Sequence, residues 1–458
     1  MTLSLQEIAA ATAGELQGEG VFERISTDSR SIQAGDLFVA LQGPTFDGHD
    51  YIQQVTEQGA AGLLLHRAVD TALPTVLVAD TTQALGQMGR FNRQRQAIPV
   101  VAVTGSNGKT TVKEMVAAIL STQGEVLKTQ GNYNNDIGLP LTLLNIQAQH
   151  AYAVIEMGAN HLQEIAYLSQ LTQPNVAVIT NAGDAHIEGF GSRDGVAQGK
   201  GEIFSGLQHE GVAVINQNDR YADVWRDLAK AHKIITFSLD EAADVTADAS
   251  RIRVKFDASG FHTTFELQLG RQVYPVSLAL AGQHNVMNAL AAAAVAYALD
   301  IAPVNIVSGL QQMAPVAGRL QPSLGQCGAR LINDTYNANP ASLAVALDVL
   351  MQCQGEHWFI LGDMGELGED AQAVHADMGR LIQDKGVDRL WTVGTLTQAT
   401  SAAFGEGACH FTDKQALIIA LTSALNSGVV MLVKGSRLMR MEIVVQAMQA
   451  SDGEVAAC

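Results

Sequence analysis

The chain has 458 residues, 47% hydrophobic and 16% charged, with a formal net charge of −18. That length exceeds one ordinary core and predicts two to four domains, in a chain whose composition is globular rather than disordered. The acidic balance argues against a general nucleic-acid or anionic-membrane binder, which needs a basic face, yet allows a small anionic ligand in a local basic pocket.

The first twenty residues carry Glu7, Glu15 and Glu19 and no basic segment, so they do not read as a secretory signal. No apolar run reaches membrane-spanning length; residues 289–298 suit a core helix instead. The four cysteines form no Cys-x-x-Cys pair, and a structural zinc site is not indicated. The expected setting is the cytoplasm, where ATP is available, and the expected state is a monomer.

The first region, 1–82, holds short apolar runs at 36–41, 62–65 and 75–78, with a helical stretch near 51–58. It reads as a small α/β unit. The second, 83–314, begins with the apolar run 99–103, as expected for a parallel strand covered on both faces. A helical pattern follows over 112–123, with Gly124 as its stop. Further runs at 153–155, 176–179 and 212–215 alternate with helical segments and predict a mostly parallel sheet. Residues 252–256 and 264–269 alternate with period two and predict a small antiparallel patch. The third region, 315–458, has strand-like runs at 330–332, 358–361, 389–393 and 429–433 separated by helical patterns. That is the signature of a Rossmann-like, doubly wound α/β domain. The expected fold class is therefore α/β in three domains.

Between the strand at 99–103 and the following helix lies Gly105-Ser106-Asn107-Gly108-Lys109-Thr110-Thr111. Glycines let a backbone curl and turn its N–H groups toward an anion, and the helix adds its positive N-terminal end. Lys109 can reach the β- and γ-phosphates of ATP, and the Thr110 hydroxyl can ligate Mg²⁺. The general motif has a further glycine where this chain has Val103. Glu156 follows the run at 153–155, where a carboxylate beside the phosphate-loop strand can hold Mg²⁺; a solvated strand-end acid fits the residue equally. Taken singly, His186, Lys200 and Arg319 are common solvated side chains. Asn134 and Asn135, Asn285 and Asn288, and Asp334 and Asn337 offer groups suited to a nucleotide, although such residues also build turns.

Together these segments resemble the Mur ligases, ATP-dependent amide-bond ligases that build the peptide of the bacterial cell-wall precursor. The resemblance covers essentially the whole chain, and the family's own loop variant, similar to 104–110, lacks that first glycine. Segments 26–30, 35–40 and 46–50 resemble a UDP-binding N-terminal domain, and 132–140, 185–192 and 200–204 resemble central-domain motifs. Segment 282–285 with Asn288 resembles the adenine-contacting stretch. Segments 334–340, 362–368 and 434–437 resemble the C-terminal domain of the member that adds D-alanyl-D-alanine to UDP-N-acetylmuramoyl-tripeptide.

The resemblance implies ATP and Mg²⁺ as cofactors, with Lys109 on the transferring phosphoryl group. It implies Thr110 and Glu156 on one Mg²⁺, and His186 helping to hold a second. Lys200 falls where several members carry a carbamylated lysine. Asn285, Asn288, Arg319, Asp334 and Asn337 are implied around the nucleotide. Ser29, Arg30, Phe38, Gly48, His49, Asn134, Asn135, Lys434, Ser436 and Arg437 are implied at the substrates. Asp184 departs from the expected proline or small residue and adds negative charge beside His186. The implied chemistry is phosphorylation of the tripeptide carboxylate, then attack by the dipeptide amine, with closure about residues 315–320. A sister ligase adding a single amino acid, a folylpolyglutamate synthetase, and a P-loop ATPase or switch without ligation are the alternatives.

Overall fold

Three main sheets follow one another along the chain in the computed structural model, which describes residues 2–183, 187–257 and 260–450. The first region contributes β1 (Leu3–Ser4), β2 (Glu15–Gln17), β3 (Val21–Phe22), β4 (Ile25–Ser26), β5 (Leu37–Val39), β6 (Gly62–Leu65) and β7 (Thr75–Leu77). β1 and β3 form a small antiparallel pair. The rest form a sheet in the order β2-β7-β6-β5-β4, parallel apart from β2. The three expected runs are β5, β6 and β7. The two- and three-residue strands β1 to β4 carry no comparable apolar run, which is why sequence periodicity passes over them.

The second sheet has ten strands: β8 (Val100–Thr104), β9 (Glu125–Lys128), β10 (His150–Glu156), β11 (Val176–Ile179), β12 (Val212–Asn216), β13 (Lys233–Leu239), β14 (Val245–Ala247), β15 (Arg253–Asp257), β16 (Gly260–Leu269) and β17 (Gln272–Leu278). Across β9-β10-β8-β11-β12-β13-β14 every pairing is parallel. β16 then pairs antiparallel with β14, β15 and β17, which is the expected antiparallel patch. The continuous apolar runs have a simple cause. Val101, Val103, Val154, Val176 and Val178 face one core, which holds the helices Lys109–Leu120 and Gln283–Ala298. Val100, Ala102, Ala153, Ile155, Ala177 and Ile179 face the other, which holds the helices Gly138–Leu144 and Glu164–Thr172. Neither face meets water, so no polar alternation survives. The helix after β8 begins at Lys109 and ends at Leu120, short of Gly124.

The third sheet, β18 (Gln321–Leu324), β19 (Arg330–Asp334), β20 (Glu356–Gly362), β21 (Arg389–Val393), β22 (Ala408–Phe411) and β23 (Val429–Lys434), has the order β18-β19-β23-β20-β21-β22. Only the edge strand β18 is antiparallel. Two cores again cover the two faces.

The helix Thr81–Arg95 contains the expected division at 82/83 and ties the first sheet to the second. Ala84, Leu85 and Met88 pack with Leu5, Leu37, Leu64 and Val76 of the first region and with Leu144 of the second. Its far end is fixed by polar bonds to two helix C-termini, where carbonyls lack intrahelical partners. Asn92 Nδ2 donates to the carbonyls of Leu143, Leu144 and Ile146 at 2.8, 3.3 and 3.1 Å. Arg93 donates to the carbonyls of Thr172 and Gln173 at 3.0 and 3.3 Å. Among the described residues no helix is long and apolar enough to cross a membrane.

Asn92→Ala strands buried carbonyls and is expected to lower unfolding stability by about 1–3 kcal/mol in urea titrations. Asn145→Ala removes one exposed side-chain bond to Leu141 and is expected to change it by less than about 0.5 kcal/mol. Equal effects of the two would contradict the bolted-helix account.

Candidate functional site

The parallel register of β8 with its neighbours builds the site. Val103 lies opposite Glu156 of β10, and Thr104 lies opposite Ile179 of β11. The segment leaving β8 therefore emerges between two strand ends. Gly105 adopts φ 147° and a Cβ there would sit 1.9 Å from Thr180 Oγ1. Gly108 adopts φ 83°, and its Cβ would meet Asn288 Oδ1 at 2.5 Å. Both glycines are thus required by backbone conformation and by close approach.

The loop is held from behind. The Ser106 amide donates to the Asn181 carbonyl at 2.9 Å, and the Asn107 amide to Asn181 Oδ1 at 3.0 Å. Asn181 Nδ2 and Thr180 Oγ1 both donate to the Asn107 carbonyl, at 3.0 and 2.6 Å. The Gly183 amide donates to Ser106 Oγ at 2.9 Å. Lys109 folds back on its own loop, donating to the Gly105 carbonyl at 2.7 Å. Desolvation pushes Lys109 below the ordinary lysine range; Glu156 opposes that shift and Arg319 adds to it. A phosphate group accepting from Lys109 would replace neutral carbonyls by a charged partner.

Glu156 is 2% exposed in its side chain. Asn134 Nδ2 donates to its Oε1 at 3.0 Å, while Oε2 is buried with no hydrogen-bond partner among the described residues. A buried carboxylate oxygen left bare is costly unless something accepts its lone pairs, so this atom fits a divalent cation, a hard ion that prefers oxygen donors. The Thr110 hydroxyl, in the first turn of the helix Lys109–Leu120, accepts from Arg319 Nη2 at 3.0 Å. Lys200 is 1% exposed, with Nζ donating to the Ala159 carbonyl at 3.4 Å and 5.0 Å from the Phe190 ring. Burial first, then repulsion from Lys109, brings its pKa down to about 7 against weaker pulls from Glu164 and Glu202. A lysine near neutrality presents a free amine, the form that reacts with carbon dioxide.

Facing this edge are the carboxyl ends of β19, β20 and β23. Lys434 is 2% exposed, and its Nζ donates to Asp334 Oδ2 at 2.6 Å and to the Asn337 carbonyl at 3.0 Å. Arg319 lies over the Tyr336 ring, 4.2 Å from its centroid. Asn339 Nδ2 donates to Asn107 Oδ1 at 3.2 Å, a bond between the two sheets' loops. The segment 362–368 is pinned by Asp363, whose carboxylate accepts from the amides of Thr395, Leu396 and Thr397 at 2.9, 3.0 and 2.8 Å. The Met364 amide donates to the buried His375 Nε2 at 3.0 Å. His284, at the start of the Gln283–Ala298 helix, is brought to about pKa 4 by desolvation and by Lys434, so it is neutral at physiological pH.

One cleft of about 1310 Å³ unites these groups. Of the expected residues it is lined by Ser106, Asn107, Gly108, Lys109, Thr111, Asn134, Asn135 and Glu156 from the second sheet, with Asn285 and Asn288. Arg319, Asp334, Asn337, Lys434, Ser436 and Arg437 line it from the third. Gly105, Thr110 and Lys200 lie behind that wall. His186 and Asp184 fall outside the described residues.

Ser29, Arg30, Phe38, Gly48 and His49 are not brought to this cleft. Arg30 is exposed and makes a fork to Asp28 at 2.9 and 2.8 Å. Phe38 is core, packed with Ala40, Val55 and Leu63. The His49 ring is inside, with Nδ1 on Asp47 at 2.9 Å and Nε2 accepting the His66 amide at 3.3 Å. Asp47, His49 and His66 offer ligand atoms within 4.8 Å of one another, yet both His49 nitrogens are engaged and Arg67 already meets Asp47. Gly48 packs on β5's end, where a Cβ would lie 2.8 Å from the Ala40 Cα.

Sequence reasoning passed over Thr180 and Asn181. The available signal was position: they follow an apolar strand, as Glu156 does. Asn339 was visible only as one member of an asparagine-rich turn.

Sequence profiles described as the Mur ligase middle domain, the Mur ligase glutamate ligase domain and the Mur ligase family catalytic domain match residues 103–296, 318–437 and 21–118. The chain is 42% identical to the UDP-N-acetylmuramoyl-tripeptide--D-alanyl-D-alanine ligase of Escherichia coli K12, over 98% of this chain and 99% of that protein. It superimposes on the crystal structure of MurF from Acinetobacter baumannii with a TM-score of 0.90 and 37% identity, covering 97% and 98% of the two chains. For MurF ligase from Thermotoga maritima in complex with ADP, the TM-score is 0.81 at 26% identity, covering 93% and 96%.

Gly108→Ala places a side chain at φ 83° and against Asn288. It is expected to destabilise the loop by about 1–2 kcal/mol and to weaken ADP binding in calorimetry; unchanged affinity would refute the stated need for glycine. Lys200 has a second consequence. The unfolded lysine holds its proton to about 10.5 and the folded one only to about 7, so the unfolded state binds more protons in between and stability rises with pH there. In carbon-dioxide-free buffer, the melting temperature of the parent minus that of Lys200→Met should increase from pH 7 to pH 10. A flat difference would show that Lys200 is not held neutral.

Proposed function

The chain belongs to the Mur ligase family, and we infer that it is the member that joins D-alanyl-D-alanine to UDP-N-acetylmuramoyl-tripeptide at the expense of ATP. The observation that carries this reading is the full-length similarity to ligases of that name, spanning the phosphate loop and the C-terminal segments 362–368 and 434–437 alike. The product is a peptidoglycan precursor. The working division is 1–82 for the UDP-bearing substrate, 83–314 for ATP and 315–458 for the incoming dipeptide, in a monomer of the cytoplasm.

A free carboxylate resists amines because its charge repels them and its oxygen leaves poorly. Transfer of the γ-phosphoryl group of ATP to the tripeptide's terminal carboxylate removes both obstacles and gives an acyl phosphate and ADP. Such transfer demands positioning and charge neutralisation more than covalent help. The amides at the N-terminus of the helix Lys109–Leu120 and the Lys109 ammonium meet the phosphates, and Lys109 trades the Gly105 carbonyl for a phosphoryl oxygen. Arg319 leaves the Thr110 hydroxyl for the nucleotide, and Asn285, Asn288, Asp334 and Asn337 hold its base and sugar.

Glu156 and Thr110 would hold Mg²⁺, and His186 would help hold a second ion; when bound, the metal would supply charge neutralisation on the phosphates. Lys200, as a carbamate, would add an anion beside that second site. The dipeptide amine then attacks the acyl carbon, a tetrahedral intermediate expels phosphate, and the amide remains. Asn134 and Asn135 on one wall, and Ser436, Arg437 and the Lys434–Asp334 pair on the other, orient the two substrates. Closure about 315–320, where Gly318 and Leu320 take φ 69° and 47°, excludes water from the acyl phosphate.

ADP release should depend jointly on UDP-N-acetylmuramoyl-tripeptide and D-alanyl-D-alanine. Single amino acids should not replace the dipeptide; if they do, the sister-ligase reading stands instead. ATP hydrolysis at full rate without the tripeptide would favour an ATPase without ligation. Lys109→Ala should lower kcat by about 10²–10³-fold or more with an unchanged circular dichroism spectrum.

A further inference from the structure

One buried cation next to the site takes no part in that mechanism. Lys113 lies one turn beyond Lys109 on the same helix and is 2% exposed. Its Nζ donates to the Thr129 carbonyl at 2.7 Å, meets Glu114 Oε1 at 3.2 Å, and stands 3.9 Å from Glu156 Oε2. That third contact is too long for a hydrogen bond but close for a charge pair. Glu156 Oε2 is the oxygen with no hydrogen-bond partner among the described residues. Thr129 also links the two residues, since its Oγ1 accepts the Glu156 amide at 3.0 Å.

Two constraints keep the ammonium where it is. Thr129 O and Glu114 draw it back, and Glu114 is itself tied to Lys128. The lysine consequently neutralises Glu156 from a distance without occupying the lone pairs of Oε2. A buried carboxylate with no counter-charge is strongly destabilising, and Lys109 is required at the phosphates when nucleotide binds. We propose that Lys113 is the standing counter-charge of Glu156, a positioning residue that holds the carboxylate in place with Oε2 open as a cation-ligand position before the cation arrives. The proposal rests on the reading of Glu156 as a metal ligand.

The test is a double-mutant cycle on the ligand-free full chain, read by thermal and urea unfolding, with Lys113→Met, Glu156→Gln and both together. Lys113→Met should lower the melting temperature, and adding Glu156→Gln should restore most of the loss, because the uncompensated charge is then gone. Glu114→Gln in place of Glu156→Gln should restore little. Additive effects, or rescue by Glu114→Gln alone, would overturn the proposal. If Lys113→Met does not fold, a folded double variant with Glu156→Gln supports it, and an unfolded one overturns it.

A second readout is the metal itself. At pH 8.5 the Mg²⁺ concentration giving half-maximal ADP binding should rise about tenfold in Lys113→Met, because the carboxylate is no longer held with Oε2 ready for the cation. No change or a fall would count against a positioning role. The metal reading of Glu156 stands or falls separately: Glu156→Gln alone keeping the parent's Mg²⁺ dependence would remove that reading while leaving the stability cycle to judge the Lys113–Glu156 pair.

Discussion

Backbone pairing sets Val103 opposite Glu156 on one side of β8 and Thr104 opposite Ile179 on the other. A slip of one residue in either ladder would turn every side chain of the slipped strand to the opposite face. The valines of one core and the alanines and isoleucines of the other would then exchange sides, which close packing does not tolerate. The hydrophobic register of the second sheet therefore places the phosphate loop, Glu156 and the Thr180–Asn181 buttress at one edge. Those groups need no further device to find one another, and the loop's left-handed glycines are held by bonds that already exist without nucleotide.

Charge is arranged against the chain's overall sign. With a net charge of −18, the protein nonetheless collects Lys109, Lys113, Lys200, Arg319 and Lys434 in or behind the cleft. Each has a different electrostatic condition. Lys109 rests on carbonyls, Lys434 is paired with Asp334, and Lys113 is shared between two carboxylates. Lys200 meets an aromatic face and a carbonyl and is driven toward neutrality. Desolvation makes each such placement costly unless a partner or a pKa shift relieves it, so the pattern of partners records which cations are free to change partner on ligand binding.

The regions are joined unequally. The helix Thr81–Arg95 shares an apolar core with the first sheet and is bonded through Asn92 and Arg93 to carbonyls of the second. The third sheet meets the phosphate loop through polar contacts, Arg319 to Thr110 and Asn339 to Asn107, and packs on the antiparallel patch through Phe261 and Ala281. Polar contacts of this kind exchange readily for bonds to a ligand, whereas a shared core does not. That asymmetry suits a reaction in which one wall of the cleft moves onto substrates held by the other.

The sequence by itself determined the order of α/β units, because strands buried on both faces leave unbroken apolar runs and amphipathic helices leave a 3.6-residue period. It also determined the phosphate loop, because few sequences put two glycines, a lysine and two threonines between such a strand and helix. Short edge strands such as β2 and β18 left no such mark. Tertiary structure alone decided which polar residues share the cleft. Asn134 reaches Glu156 and Arg319 reaches Thr110 across gaps of 22 and 209 residues, and nothing local in sequence encodes a long-range partner. It also separated His49 and Phe38, which lie inside the first region, from groups that face the cleft. Most of all it distinguished Lys109 from Lys113, two lysines one helical turn apart. The helix turn and the strands packed against it put one beside the phosphate loop's carbonyls and the other behind a buried glutamate.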